Sequence, residues 1–98
     1  MVFNRSDVIN ILKSFKNKFA KKYGIISMGI FGSAARNELT NDSDIDIYVQ
    51  TETPNPFVII HMKDDLETIL GRRVDIVRIR EFMNKTLKNR IEKEGIYV

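Results

Sequence analysis

The spacing of apolar residues changes several times along the chain, and each change marks an element. Val8, Ile11, Leu12, Phe15 and Phe19 recur at three- and four-residue intervals, the buried stripe of a helix that Ser6 can cap and Asp7 favours in its first turn. Tyr23-Gly24 ends it, with Gly24 suited to the position just past a helix. Ile25 to Phe31 is apolar and partly β-branched, the composition of a buried strand. Gly32-Ser33 breaks that strand, Ala34-Ala35-Arg36 opens a short helix, and Asn37 to Ser43 is polar and loop-like. From Asp44 to Val49 the pattern alternates, with Asp44, Asp46 and Tyr48 on one face and Ile45, Ile47 and Val49 on the other.

Thr53-Pro54-Asn55-Pro56 interrupts the pattern. Asn55 and Pro56 then fit the cap and first residue of a helix carried by Ile59, Met62, Leu66, Ile69 and Leu70 and closed by Gly71. Arg73 to Ile79 predicts a third strand with Val74, Ile76 and Val77 buried. Glu81 to Glu94 predicts a last helix through Met83, Leu87 and Ile91, stopped by Gly95. The apolar tail Ile96-Tyr97-Val98 suits a docking strand or a dimer contact. The order αβ(α)βαβα predicts an α/β (α+β) fold, a small mixed sheet of about three strands flanked by helices.

Composition narrows the chemistry. With 98 residues the expectation is a single domain spanning 1–98. There is no cysteine, which removes disulfides, thiolate metal sites and a Cys nucleophile, and the one histidine, His61, cannot build a His-rich zinc site. His61 falls in a helix away from the chemical motifs and reads as a surface or core residue. Phe3, Phe15, Phe19, Phe57 and Phe82 read as core or interface residues. The longest apolar run, Gly24 to Gly32, is far short of the ~20 residues of a membrane span, and Met1–Asn10 shows no secretory pattern. The expectation is a soluble, cytoplasmic protein with no membrane partner. Charge is segregated: residues 1–23 carry +5, residues 24–71 carry −6 and residues 72–98 carry +4. An acidic centre between basic ends suits a cation site with basic walls for a polyanion.

Two short motifs occupy that centre. Asp44 and Asp46, two apart on a strand, leave the same face with Cα atoms roughly 7 Å apart. Carboxylates so placed can converge on hard divalent cations such as Mg²⁺. Glycine after a strand permits close backbone approach, and Ser33 with the free amides of the turn favours a phosphate. Neither a Gly-Lys-Ser/Thr loop nor a G-x-G-x-x-G pattern is present, since Gly29 and Gly32 are followed by no third glycine. Together the motifs read Gly-Ser-x(10)-Asp-x-Asp, a joint spacing expected by chance in on the order of one chain in a thousand. Asp75 interrupts the apolar strand Val74-x-Ile76-Val77, and an acid there needs a partner, either the same cation site or an arginine such as Arg36 or Arg73.

The stretch Gly32-Ser33-Ala34-Ala35-Arg36-Asn37-Glu38 through Asp42-Ser43-Asp44-Ile45-Asp46-Ile47 resembles the minimal nucleotidyltransferase (MNT) branch of the DNA polymerase beta-like nucleotidyltransferase superfamily. Arg73 to Val77 and the closing Ile91 to Val98 extend the resemblance over nearly the whole chain. Asn37 stands where glycine is usual, and Asn tolerates the left-handed backbone that such a turn needs. The resemblance implies the nucleotidyltransferase fold. It implies Asp44, Asp46 and Asp75 as a catalytic, metal-holding triad for Mg²⁺, with two ions, and ATP as substrate. Gly32, Ser33 and Arg36 would then bind the nucleotide, although Arg36 also suits a structural ion pair. It further implies an antitoxin that transfers AMP to a tyrosine of a HEPN-type RNase toxin, either as a homodimer or in a hetero-oligomer with that toxin. Two alternatives stand beside it: a catalytically silent antitoxin that neutralises by binding alone, and a nucleotidyltransferase for a small-molecule or RNA acceptor. Bare nucleic-acid binding has no interleaved aromatic pattern to support it.

Overall fold

The computed structural model describes residues 4–80 and 83–98. Phe3, Phe82 and the expected helix start at Glu81 lie outside the described residues. Element order is α1 (Arg5–Tyr23), β1 (Ile25–Phe31), α2 (Gly32–Ala35), β2 (Ile45–Thr51), α3 (Pro56–Leu70), β3 (Val74–Arg78), α4 (Lys85–Glu94) and β4 (Ile96–Tyr97). The strands form one mixed sheet in the order β3-β2-β1-β4, with β1 antiparallel to β2 and β4 and with β2 parallel to β3.

Four strands, rather than about three, follow from the apolar tail. Ile96 and Tyr97 pair with Ile30 and Gly29, and the Val98 amide donates to the Met28 carbonyl at 2.9 Å. Lys16 Nζ in α1 donates to the Val98 carbonyl, which ties the tail down. The starts of α1, α3 and α4 are set by asparagine. Asn4, not Ser6, caps α1: its side chain accepts from the Asp7 amide at 2.9 Å and Asp7 accepts from the Asn4 amide at 3.2 Å, a reciprocal capping box. Asn55 caps α3 as its sequence indicates, ahead of Pro56. Asn84 caps α4 through the Leu87 amide, so Met83 precedes the helix instead of riding in it.

Two apolar layers cover the sheet. Met28, Ile30, Ile45, Ile47, Val49 and Val74 pack against Val8, Leu12 and Phe15 of α1 and Met62, Leu66 and Leu70 of α3. Ile69, expected in the α3 stripe, is 49% exposed because it sits on the outer shoulder of that stripe. Phe57 is likewise exposed, as is His61. A smaller cluster of Phe31, Tyr48 and Ile91 holds α4 to the opposite face, with Val77, Met83 and Leu87 packed around it. Among the described residues no helix is long and apolar enough to cross a membrane.

Tyr48 fills the second cluster. A side chain at Gly29 would collide with its ring and hydroxyl, so that glycine makes room for it, whereas one at Gly95 would collide chiefly with the Ile91 carbonyl and only press on the ring. Its hydroxyl is buried with no hydrogen-bond partner among the described residues. Burial, then the proximity of Tyr97, pushes its pKa up to about 12. Burial and the Asp65 hydrogen bond, 2.7 Å, do the same for Tyr23. A phenol whose folded pKa is raised lends stability that is complete below its ordinary value near pH 10 and is lost as pH climbs through about 12. Tyr48→Phe should leave stability at pH 7 unchanged or higher by up to ~1 kcal/mol, since it deletes an unpaired buried hydroxyl. It should also reduce the phenolate absorbance step near pH 12, as read by ultraviolet titration alongside a thermal melt.

Candidate active site

The face of the sheet toward α4 carries the acids. Asp46 on β2 and Asp75 on β3 are direct partners in a parallel ladder, so their side chains stand next to each other on one face. Asp44 is the residue before β2, at the end of the 37–43 loop; its side chain is half-buried. Arg72 anchors that loop by donating from its guanidinium to the carbonyls of Thr40 and Ser43. Among the described residues no three His, Cys, Asp or Glu side chains gather closely enough to close on one metal ion. The structure thus pairs Asp46 with Asp75 and brings Asp44 near them without completing a three-donor cage.

Electrostatics agree with that arrangement. Burial raises the Asp46 carboxyl above its ordinary value and the neighbouring Asp75 charge raises it further; Arg90 opposes them, with smaller effects from Asp44 and Arg36. Two like charges on a partly dehydrated face favour a cation or a proton between them.

Gly32 and Ser33 begin the four-residue helix α2 directly after β1. Gly32 has φ 65°, and a side chain there would run into the Asp46 carboxylate. The backbone requires glycine there, and a side chain would also push the Asp46 carboxylate aside. Asn37 does adopt the left-handed backbone, at φ 60°, and its side chain accepts from the Arg5 amide at 3.0 Å. Arg36 ion-pairs with Glu38 at 3.1 Å and with Glu94 of α4 at 3.0 Å, the structural engagement that the sequence left open, while its charge still acts on Asp46.

Asp46 and Asp75 line a cleft of about 410 Å³ that also takes in Phe31, Ile60, Lys63, Leu87 and Arg90. Lys63 and Arg90 escaped the sequence reading. Nothing in the sequence separates Arg90 from the seven other basic residues of 72–98, and Lys63 stands alone among acids on α3. A cleft lined by two carboxylates and two cations offers both signs of charge that a metal-bound polyphosphate presents.

A family profile described as Nucleotidyltransferase domain matches residues 12–98. The chain belongs to the nucleotidyltransferase family. As a nucleotidyltransferase, it is an enzyme of nucleotidyl transfer, and it is similar over nearly its full length to named relatives. It is 42% identical over 94 residues, 95% of this chain and 96% of the relative, to a Methanocaldococcus jannaschii protein provisionally named a protein adenylyltransferase. It is 36% identical over 97 residues, 94% of this chain and 93% of the relative, to protein adenylyltransferase MntA of Thermococcus cleftensis. Among solved structures, a protein provisionally described as a minimal nucleotidyltransferase superposes with a TM-score of 0.77 at 28% identity, covering 96% of this chain and 95% of that one. A complex described as a tri-AMPylated Shewanella oneidensis HEPN toxin with its MNT antitoxin shares the fold, at a TM-score of 0.65 and 20% identity, over 90% of this chain and 69% of that one.

Two variants test the site's physics. Gly32→Ala should destabilise by about 1–2 kcal/mol from left-handed backbone alone, a fall in thermal midpoint on the order of 5–10 °C; an unchanged midpoint would contradict the requirement for glycine. Asp46→Asn should raise the midpoint at pH 7. Because the folded carboxyl is raised, the folded state holds its proton more tightly than the unfolded one, and stability falls as pH rises from the ordinary carboxylate value through the raised one. The gain from Asn should therefore shrink on acidification, as seen in melts at pH 7 and in acid.

Proposed function

We propose that this nucleotidyltransferase transfers AMP from ATP to a tyrosine hydroxyl of a HEPN-type toxin and thereby acts as its antitoxin. The observation that carries the reading is the in-register pair Asp46–Asp75 beside the Gly32 turn, in a cleft walled by Lys63 and Arg90. The names of the relatives, protein adenylyltransferases, and the AMPylated toxin in the structurally similar complex support AMP as the group moved and a protein as its acceptor.

The Asp46–Asp75 pair fits a hard divalent cation, because it offers only carboxylate oxygens and the neighbouring charges are unfavourable without one. Asp44, Asp46 and Asp75 would hold Mg²⁺, as two ions. When bound, the metal neutralises the triphosphate and the departing pyrophosphate. The bond that forms joins the acceptor oxygen to the α-phosphorus, and the bond that breaks is the one from that phosphorus to the bridging oxygen of pyrophosphate. Asp75, the more exposed of the pair, would accept the proton that the tyrosine hydroxyl gives up. Gly32 and Ser33 present backbone and hydroxyl to the β- and γ-phosphates, and Arg36 steadies the turn through its ion pairs while adding positive charge beside Asp46.

Incubation with ATP, Mg²⁺ and a cognate HEPN protein should add AMP to the partner, as read by intact-mass spectrometry, and abolish its RNase activity. Asp44→Ala, Asp46→Ala and Asp75→Ala should each slow the transfer by at least ~100-fold, the equivalent of several kcal/mol of lost charge stabilisation. Full neutralisation by these variants without any mass gain would establish the binding-only alternative instead. Labelling of a free small molecule or an RNA end in the absence of a protein partner would point to the other.

A further inference from the structure

Arg90 is placed unlike any other cation of the chain. It lies on α4, its guanidinium carbon 5.5 Å from the centre of the Phe31 ring, and Phe31 immediately precedes Gly32. Arg90 Nη2 is 3.4 Å from the point that a side chain on Gly32 would occupy, and the nearest group to that same point is the Asp46 carboxylate. Both residues line the cleft with Asp75 and Lys63. Yet among the described residues the ion pairs within 4 Å are both made by Arg36, with Glu38 and Glu94. Arg90 is thus close to Asp46, spread over an aromatic face, and not locked to a carboxylate. A guanidinium held this way keeps its planar array of donors available for oxygen anions.

Resting on the nucleotidyl-transfer reading of the cleft, we propose that Arg90 serves two partners in turn. In the nucleotide-free protein it is the standing counter-charge of the Asp46–Asp75 pair, and with nucleoside triphosphate in the cleft it clamps the phosphate oxygens. One positive group cannot serve both at full strength. A divalent cation on the carboxylates competes with the guanidinium, whereas a polyphosphate recruits it. Phe31 keeps the guanidinium over the Gly32 turn, within reach of either partner.

Opposite effects follow from its removal. The carboxylates lose a competitor and bind a bare cation more tightly, while the triphosphate loses a ligand and binds more weakly. A merely structural role would weaken both. Isothermal titration of the full chain with Mn²⁺ alone, and with an ATP analogue carrying a methylene between its α- and β-phosphates in the presence of Mg²⁺, reads both effects without turnover. For Arg90→Gln the expected result is Mn²⁺ binding tighter by about 3- to 10-fold and analogue binding weaker by about 10-fold or more. Lys88→Gln, which removes the same charge from the same helix outside the cleft, should change neither beyond about twofold.

Arg90→Lys keeps the charge and loses the fork, so it should bind Mn²⁺ as the parent does and the analogue more weakly; it carries the test alone if Arg90→Gln does not fold. If Arg90→Gln weakens both titrations, or leaves both unchanged, the dual role is overturned while the proposed function stands. A parent protein that binds neither Mn²⁺ nor the analogue overturns both readings.

Discussion

The structure turns on two like charges brought side by side. A parallel pairing of β2 with β3 forces Asp46 and Asp75 into adjacent positions on one face, and burial dehydrates the first of them. Unfavourable contacts of this kind persist only where the surrounding fold imposes them, and they concentrate where a protein does chemistry. Here the imposition comes from the opposite face of the same strands. Ile45, Ile47, Val49 and Val74 are all fully buried against α1 and α3. Their burial fixes the register, and with side-chain period two the register fixes where the acids emerge.

Around that pair the other conspicuous features fall into place. Gly32 is bare because its backbone is left-handed, and the Asp46 carboxylate passes over it. The 37–43 loop is held by Arg72 and by the Asn37 turn, which sets the approach to Asp44. Helix α4 is bound to the acid-bearing face through the small Phe31–Tyr48–Ile91 cluster and through Arg36, whose ion pairs reach from α2 to Glu94. Arg90 is carried on α4, so the proposed binding of cations and phosphates would depend on how that helix is seated.

Much of this was legible in the sequence because it was written in local terms. Alternation from Asp44 to Val49 gave the faces of β2, and Asn55-Pro56 marked the start of α3 to the residue. Gly24 and Gly71 closed their helices in left-handed conformation as their positions suggested. Asn37 does what the missing glycine would do, at φ 60°. What escaped was decided at long range. Asn4 displaced Ser6 as cap because Asp7 could answer it in a reciprocal pair, a geometry that spacing permits at several positions. Pairing of the Ile96-Tyr97 tail with β1 depends on which sheet edge is left free, and periodicity does not report that. Arg90 and Lys63 join the acids only through the docking of α3 and α4, and no motif marks them.

Gly29 constrains the chain's sequence space. The room a side chain would need at that position is filled by the Tyr48 ring and hydroxyl and by the Ile96 carbonyl. Residues 29 and 48 also face each other across the β1–β2 ladder. A side chain at position 29 needs both a smaller residue at 48 and a shift of the Ile96 backbone, so the free energies of changes at the two positions do not add. Among descendants of this chain the two positions should drift as a coupled unit, with the backbone of β4 as the silent third member.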